Sequence, residues 1–278
     1  MNLNNIITEI EKVDPEVYER LDGRRGAIKS FANISGKIAL AALPLALGAM
    51  FQKAYGSPQS PQSSITDVLN FALTLEYLEA QFYADGNAVA STLIPNATDR
   101  AAIALIGQHE AEHVAFLTSA IQSLGGVPVA KPAFDMTAHG TFPDVFTNYA
   151  TFLAVAQTFE DTGVRAYKGQ APNLMSNKAV LTYALDIHSV EARHASHVRQ
   201  MRKNHGFGNL KPWITGEDTG GIGAAVQANY AGEQLTTQAG INIININGFP
   251  INADAASEAF DEPLTQAQVI TLVTPFFA

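Results

Sequence analysis

The stretch HEAEHVAFL, residues 109–117, decides the fold of this chain because it places a carboxylate and an imidazole among apolar residues at helical spacing. Steps of three and four residues through it give one helix face, made of Ile106, Glu110, His113, Leu117 and Ile121. That face is apolar apart from Glu110 and His113, so we expect it to point into a protein core. The i, i+3 spacing sets both polar side chains on the same side of the helix, where both can reach one site.

Three further segments repeat this pattern, with an acidic residue near the middle of an otherwise apolar helix face. The predicted helices run from about Ile65 to Ala88, from Thr98 to Leu124, from Pro143 to Gly169 and from Asn177 to Lys203. In chain order, the acidic and imidazole side chains on their inner faces are Glu76, Glu110, His113, Glu160, Glu191 and His194.

Four carboxylates on the inner faces of a helix bundle cannot remain unpaired. Burying one unpaired carboxylate costs several kcal/mol, and a whole domain is stable by only about 5–15 kcal/mol. Two divalent metal ions between the helices would supply the missing positive charge. A Glu from each of two helices, with a Glu-x-x-His from each of the other two, is the ligand set of dinuclear carboxylate bundles. The sequence therefore predicts a two-metal site held by these six side chains, with Glu110 and Glu191 as the bridging carboxylates.

An internal repeat favours the same interpretation. Glu76-x6-Tyr83 and Glu110-x-x-His113 in the first half are followed by Glu160-x6-Tyr167 and Glu191-x-x-His194 in the second. Two helical hairpins related by a pseudo-twofold axis would bring these matching side chains to one centre. The position equivalent to Glu79 is Gly163, which has no side chain to offer. We therefore expect Glu76 to be a ligand and Glu79 to be an additional carboxylate beside the site.

The connections between the helices define the predicted fold class. The links within each hairpin are short and contain Pro95 and Pro172, whereas the link from Gly125 to about Phe142 is long. A link of that length can cross a four-helix bundle from end to end. We predict an all-α protein, with a four-helix bundle and one long crossover at residues 57–205. An irregular, Gly-rich extension at 206–278 includes a short apolar helix, opened by a capping box at 265–268, and is expected to pack on the bundle or on a second subunit.

Residues 1–56 have the features of an export signal or an N-terminal anchor. The stretch GRRGAIK (23–29) resembles a twin-arginine signal, and the apolar run at 38–51 is too short for a comfortable membrane span. The residues ahead of the arginines are acid-rich, unlike a usual signal, so an uncleaved amphipathic anchor is the alternative. The predicted location is exported or periplasmic, with membrane contact only through this segment if it is retained.

The composition limits the classes of function. Seventeen Lys and Arg against 26 Asp and Glu give a net charge of −9, which argues against nucleic-acid binding. The chain has no cysteine, so disulfides, thiolate metal sites and cysteine nucleophiles are excluded. Any metal would be held by His, Asp and Glu, which suit iron, manganese and zinc.

At the ligand motifs the chain resembles the ferritin-like superfamily, and more closely the exported bacterial ferritin-like domain proteins. The resemblance covers about residues 65–203 and lies in four stretches, ALTLEYLEAQFY, HEAEHVAFL, FEDTGVRAY and VEARHASHV. It implies two iron or manganese ions, with iron preferred, and redox chemistry on ferrous ion, peroxide or dioxygen. Ferroxidase, peroxidase or catalase-like activity would follow, in what we expect to be a homo-oligomer. The N-terminal segment and the C-terminal extension lie outside the minimal bundle, which argues against an iron-storage cage.

Two other interpretations of the site remain open. The residues from His109 to His113 also match H-E-x-x-H, in which both histidines would bind zinc and Glu110 would act as the base of a metalloprotease. That interpretation leaves the acidic residues of the other three helices unexplained. Alternatively, the bundle keeps its ligands but serves as a structural or interaction module without turnover.

Several neighbouring side chains also have two interpretations. Tyr83 and Tyr167 either act on the site, by hydrogen-bonding ligand carboxylates or as redox-active neighbours, or they only fill the core. His188 lies one turn before Glu191 and either donates to a ligating carboxylate or has a structural role.

Three more polar residues are expected to lie off the ligand faces. On the bundle interpretation, His109 lies at the surface or forms a hydrogen bond to a neighbouring helix. Asp161 and Asp186 are expected to be in solvent.

Overall fold

The computed structural model describes residues 64–278. Its first five helices are α1 (Ile65–Ala88), the short α2 (Ala90–Leu93), α3 (Ala97–Ser123), α4 (Tyr149–Gln170) and α5 (Lys178–Asn204). The C-terminal extension holds a small antiparallel pair, β1 (Thr237–Gln238) and β2 (Ile241–Asn242), and the helices α6 (Ala253–Ser257) and α7 (Gln266–Val273). The export or anchor segment predicted for residues 1–56 lies outside the described residues.

Each long helix begins directly after a side chain that accepts a hydrogen bond from the first turn. These side chains are Ser64, Asn96, Asn148 and Asn177. Such caps satisfy backbone donors that have no partner inside the helix. The start predicted for the third helix, Pro143, was wrong: residues up to Thr147 form turns, and α4 begins only where Asn148 can accept from the backbone of Ala150.

The four long helices pack as two hairpins. α1 packs along α3, and α4 packs along α5, while α1 also contacts α4 and α3 contacts α5. The chain passes from the first hairpin to the second through residues 124–148, which contain no helix. The predicted all-α bundle with one long crossover is therefore confirmed.

Apolar side chains of the bundle form two clusters, one towards each end. The first contains Phe82, Ile106, Phe152 and Val198, and the second contains Leu69, Leu117, Val180 and Ile187. The middle of each long helix lies between the two clusters. A polar group at that level is therefore separated from water by apolar layers on both sides.

The C-terminal extension covers the face of α4 that the other long helices leave free. Arg165, which is 1% exposed, donates to the carbonyls of Asn229, Ala231 and Glu262 and forms an ion pair with Glu233 at 2.6 Å. One turn on, Gly169 lets the extension approach the helix closely. A Cβ atom at Gly169 would lie 1.9 Å from the carbonyl oxygen of Leu264. The capping box predicted at Thr265 and Gln268 does open a short helix, α7.

A spanning helix would need a long apolar stretch. Among residues 64–278, none of the helices combines enough length with enough apolar character to cross a membrane.

Candidate metal centre

The six side chains predicted as metal ligands meet in the middle of the bundle, between the two apolar clusters. One acidic residue comes from the middle of α1 and one from α4, and an acidic residue with a histidine comes from each of α3 and α5. The carboxylates of Glu76, Glu110, Glu160 and Glu191 are fully buried. His113 and His194 are 8% and 5% exposed. We call this set the carboxylate–histidine cluster.

His113 lies at the centre of one half of the cluster. Its Nδ1 atom is 3.1 Å from a carboxylate oxygen of Glu76, 3.1 Å from one of Glu110 and 3.2 Å from one of Glu191. One atom from each of these four side chains lies within 4.8 Å of every other. Such a group has the spacing needed to surround one metal ion.

His194 lies at the centre of the other half. Its Nδ1 atom is 2.8 Å from Glu110 Oε1 and 3.3 Å from Glu160 Oε2. Ligand atoms of these three residues and of Glu191 again lie within 4.8 Å of one another. Glu110 and Glu191 belong to both groups, as expected for the carboxylates that the sequence analysis predicts to bridge two ions.

Several atoms of the cluster are buried without a hydrogen-bond partner among the described residues. They are Glu110 Oε1, Glu160 Oε2, both oxygens of Glu191, and Nδ1 of His194. Native proteins rarely leave such atoms unsatisfied, and each one costs about 1–3 kcal/mol. Cations bonded to these atoms would satisfy them, so the residues present fit a metal centre.

Burial and charge repulsion make the cluster hold protons when no cation is bound. Burial raises the pKa of Glu76 to about 7 and, together with the charge of Glu76, that of Glu191 to about 8. Burial alone would lower the pKa of His194, but the carboxylates of Glu160 and Glu110 outweigh it and raise the pKa to about 10. Metal ions entering the cluster would displace these protons.

Both predicted tyrosines form hydrogen bonds to the cluster, across the bundle. The hydroxyl of Tyr83 on α1 donates to Glu160 on α4, and that of Tyr167 on α4 donates to Glu76 on α1. Burial raises the pKa of both phenols well above the usual value, so both remain protonated donors. Of the two interpretations, hydrogen bonding to the carboxylates is the one that the geometry supports.

Glu79 and Gly163 lie together beside the cluster, as the repeat indicated. Glu79 is 4% exposed, and burial next to the charge of Glu191 raises its pKa. A Cβ atom at Gly163 would lie 3.3 Å from Glu79 Oε1 and 3.2 Å from Glu191 Oε2. The missing side chain at Gly163 thus leaves room for two carboxylates.

His109 and His188 lie in different surroundings. His109 is partly exposed and lies in neither four-residue group, but its Nδ1 is 3.0 Å from Nε2 of His194. His188 borders a pocket of about 200 Å³ with Lys168 and Asp261. Its Nδ1 is buried without a hydrogen-bond partner in residues 64–278. Of its two interpretations, the structural role is therefore the one that the geometry supports. Its ring lies towards the C-terminal extension, which helical spacing on α5 does not reveal.

The expectation that Asp161 is in solvent was also wrong. Asp161 is 3% exposed and forms a two-point ion pair with Arg199 of α5, at 2.6 and 3.0 Å. The hydroxyl of Tyr230 in the extension donates to the same carboxylate at 2.8 Å. Both α5 and the extension therefore cover Asp161 on the outer face of α4. Asp186, by contrast, is exposed as expected.

A four-helix bundle with a buried cluster of acidic and histidine side chains is the architecture of carboxylate-bridged metal proteins. Among known families, the model of the ferritin-like domain matches residues 64–204. The match covers half of the chain and all four long helices, and the chain therefore belongs to the ferritin-like family. A comparison with curated proteins gave no match.

Proposed function

We propose that this chain binds two iron or manganese ions in the carboxylate–histidine cluster and carries out redox chemistry there on ferrous ion, peroxide or dioxygen. The observation that supports the proposal most directly is the set of unsatisfied buried atoms on Glu110, Glu160, Glu191 and His194. Two divalent cations would balance the four carboxylates, with the two imidazoles neutral.

The residues divide into two terminal sets and one shared pair. Glu76 and His113 would hold one ion, and Glu160 and His194 would hold the other. Glu110 and Glu191, which belong to both four-residue groups, would bridge the two. Iron or manganese bound in this way supplies a change of oxidation state that protein side chains lack. Iron is preferred because of the family, since these ligands do not discriminate sharply between the two metals.

The surroundings of the cluster favour a small substrate. The apolar layers above and below it limit the entry of water, and Tyr83 and Tyr167 hold their carboxylates in place by hydrogen bonds. A cavity of about 20 Å³ borders Tyr167 and reaches Phe116 and Tyr183 at the surface. That volume has room for about one water-sized molecule, which excludes a large substrate from this side of the bundle.

Metal analysis of the chain purified from its own host tests the metal site. We expect about two iron or manganese ions per chain, lost in both Glu110→Ala and Glu191→Ala. Asp186→Ala is the matched control, because it removes an exposed carboxylate from the same helix as Glu191. One zinc per chain, lost in Glu110→Ala but kept in Glu191→Ala, would instead support the metalloprotease interpretation.

Turnover is tested separately on the iron-loaded chain. Consumption of peroxide, or oxidation of added ferrous ion, should occur in the wild type and in Asp186→Ala and should be absent in Glu191→Ala. Two bound ions without either reaction would support the structural or interaction module. Export and assembly into a homo-oligomer stay predictions from the sequence.

A further inference from the structure

His109 connects the partly exposed surface of α3 to the buried cluster. Its Nδ1 atom is 3.0 Å from Nε2 of His194 on α5. The two ring planes are within 12° of each other, and the ring centroids are 5.3 Å apart. This separation is about the nitrogen–nitrogen distance plus the two ring radii. The rings therefore lie edge to edge in a common plane, which is the geometry of a hydrogen bond between imidazoles and not of face-to-face stacking.

The direction of this hydrogen bond follows from the other nitrogen of His194. Nδ1 of His194 faces Glu110 and Glu160 and has no hydrogen-bond partner of its own. As a metal ligand this atom uses its lone pair and carries no proton. A neutral imidazole has one N–H, so in that state the proton is on Nε2. Nε2 then donates to Nδ1 of His109, which acts as the acceptor and keeps its own proton on Nε2.

Among residues 64–278, the histidine of the other half of the site, His113, makes no such contact through Nε2. The residue before Glu191, equivalent to His109 in the repeat, is Val190. Both hydrogen bonds formed by His113 within residues 64–278 use its Nδ1 atom, on the side of the carboxylates. The ligands follow the pseudo-twofold symmetry, but the residues around them do not. In the described part of the chain, His194 has an imidazole partner on Nε2, whereas His113 has hydrogen bonds on Nδ1 only.

We propose that His109 is a positioning residue that fixes Nδ1 of His194 as the ligating atom, so that one of the two metal positions depends on His109 and the other does not. This inference rests on the proposed two-metal function. A hydrogen-bond partner on the remote nitrogen of a ligating histidine sets the tautomer and the ring orientation. Loss of such a partner typically weakens metal affinity by about 10–100-fold.

Titration of the metal-free, full-length chain with Co²⁺ tests the inference, with calorimetry and visible absorption as readouts. His109→Leu removes the acceptor. His109→Asn keeps an acceptor, because the side-chain oxygen of Asn can occupy the position of Nδ1. Val190→Ala is the matched control at the equivalent position of the repeat. We expect two Co²⁺ per chain throughout, with one of them bound about 10–100-fold more weakly in His109→Leu only.

A second readout follows the proton itself. In the Zn²⁺-loaded chain, nitrogen–proton correlation spectra should show the Nε2–H of His194 protected from exchange in the wild type and in His109→Asn. The same signal should exchange rapidly in His109→Leu. This measurement separates the loss of an acceptor from a general loosening of the bundle, which would also expose other buried protons.

The outcomes distinguish this inference from the proposed function. A wild-type chain that fails to take up two metal ions would overturn both. Two ions bound with equal affinity in the wild type and in His109→Leu would overturn the role of His109 alone. Equal weakening in His109→Leu and His109→Asn would also overturn it, because the acceptor atom would then be irrelevant.

Discussion

Tyr83 on α1 donates its hydroxyl proton to Glu160 on α4, and the equivalent tyrosine of the repeat, Tyr167 on α4, donates to Glu76 on α1. Each tyrosine lies on the same helix as one of these two carboxylates and donates to the carboxylate of the other helix. The repeated Glu-x6-Tyr spacing thus has a physical role that the sequence does not reveal directly. It links the two hairpins through a reciprocal pair of buried hydrogen bonds.

Removing either phenolic hydroxyl should destabilise the metal-free chain. Tyr83→Phe and Tyr167→Phe keep the ring but leave a buried carboxylate without its donor, so the free energy of unfolding should fall by about 1–3 kcal/mol in each. Urea denaturation followed by circular dichroism measures the change. Tyr183→Phe is the control, because Tyr183 is 49% exposed and should stay within about 0.5 kcal/mol of the wild type. Unchanged midpoints in both buried variants would contradict the prediction.

The stability of the metal-free chain should fall as the pH rises. In the folded state the pKa is raised to about 7 for Glu76 and about 8 for Glu191, against 4.5 as the ordinary value. Between these values the folded chain binds more protons than the unfolded chain, so stability is lost as the pH rises. His194 acts in the same direction, because its stabilising contribution is complete below 6.5 and is lost as the pH approaches 10.

Thermal denaturation of the metal-free and Mn²⁺-loaded chains from about pH 5 to about pH 8 tests this pH dependence. The melting temperature of the metal-free chain should drop steadily over that range. The melting temperature of the Mn²⁺-loaded chain should drop much less, because the metal ions replace the protons on the cluster. Glu76→Gln should have a shallower slope without metal, since one of the shifted groups is gone. A metal-free chain that becomes more stable as the pH rises would contradict the upward direction of these pKa shifts.

Filling the space at Gly163 should weaken metal binding without unfolding the bundle. In Gly163→Ala the new methyl group would lie 3.2 Å from Glu191 Oε2, which must move. Alanine is favoured over glycine inside a helix by about 1 kcal/mol, so the metal-free chain should remain as stable as the wild type. Calorimetric titration with Mn²⁺ should give an affinity lower by roughly tenfold. Adding Glu79→Ala to this variant should restore part of the lost Mn²⁺ affinity, because it removes the second carboxylate from the same space. An unchanged affinity in Gly163→Ala would contradict the prediction and show that Glu191 can move without cost.

The attachment of the C-terminal extension should depend on Arg199, which donates to the carbonyl of Trp213 in the extension. Its partner Asp161 in turn accepts from the hydroxyl of Tyr230. Arg199→Met leaves Asp161 buried without its cation, which should lower the free energy of unfolding by about 3–5 kcal/mol. Lys211→Met is the control, since the side chain of Lys211 is 52% exposed in its pair with Glu258 and should change stability by less than about 1 kcal/mol. Limited proteolysis should cut the extension first in Arg199→Met. Equal stability of the two variants would contradict the role of the buried pair.

Much of the bundle could be predicted from local patterns alone. The bounds predicted for helix α1, Ile65 and Ala88, are those of the structure, because the apolar spacing that predicts a helix acts within a few residues of chain. The start of α4 was missed because the turns before it depend on hydrogen bonds around Asp144 and Asn148, which produce no periodic signal. The two clustered histidines and four carboxylates were predicted because a polar residue within an apolar stripe is visible in one dimension.

The sequence by itself determined which helix faces carry acidic and imidazole groups, since side-chain direction along a helix follows from spacing. Only the tertiary structure decided which groups meet across helices: Tyr83 with Glu160, His109 with His194, and Asp161 with Arg199. The physical reason is that burial depends on what covers a surface. The sequence of α4 predicts that its outer face, with Asp161, is exposed to solvent. In the structure this face is buried, because an extension far along the chain packs over it.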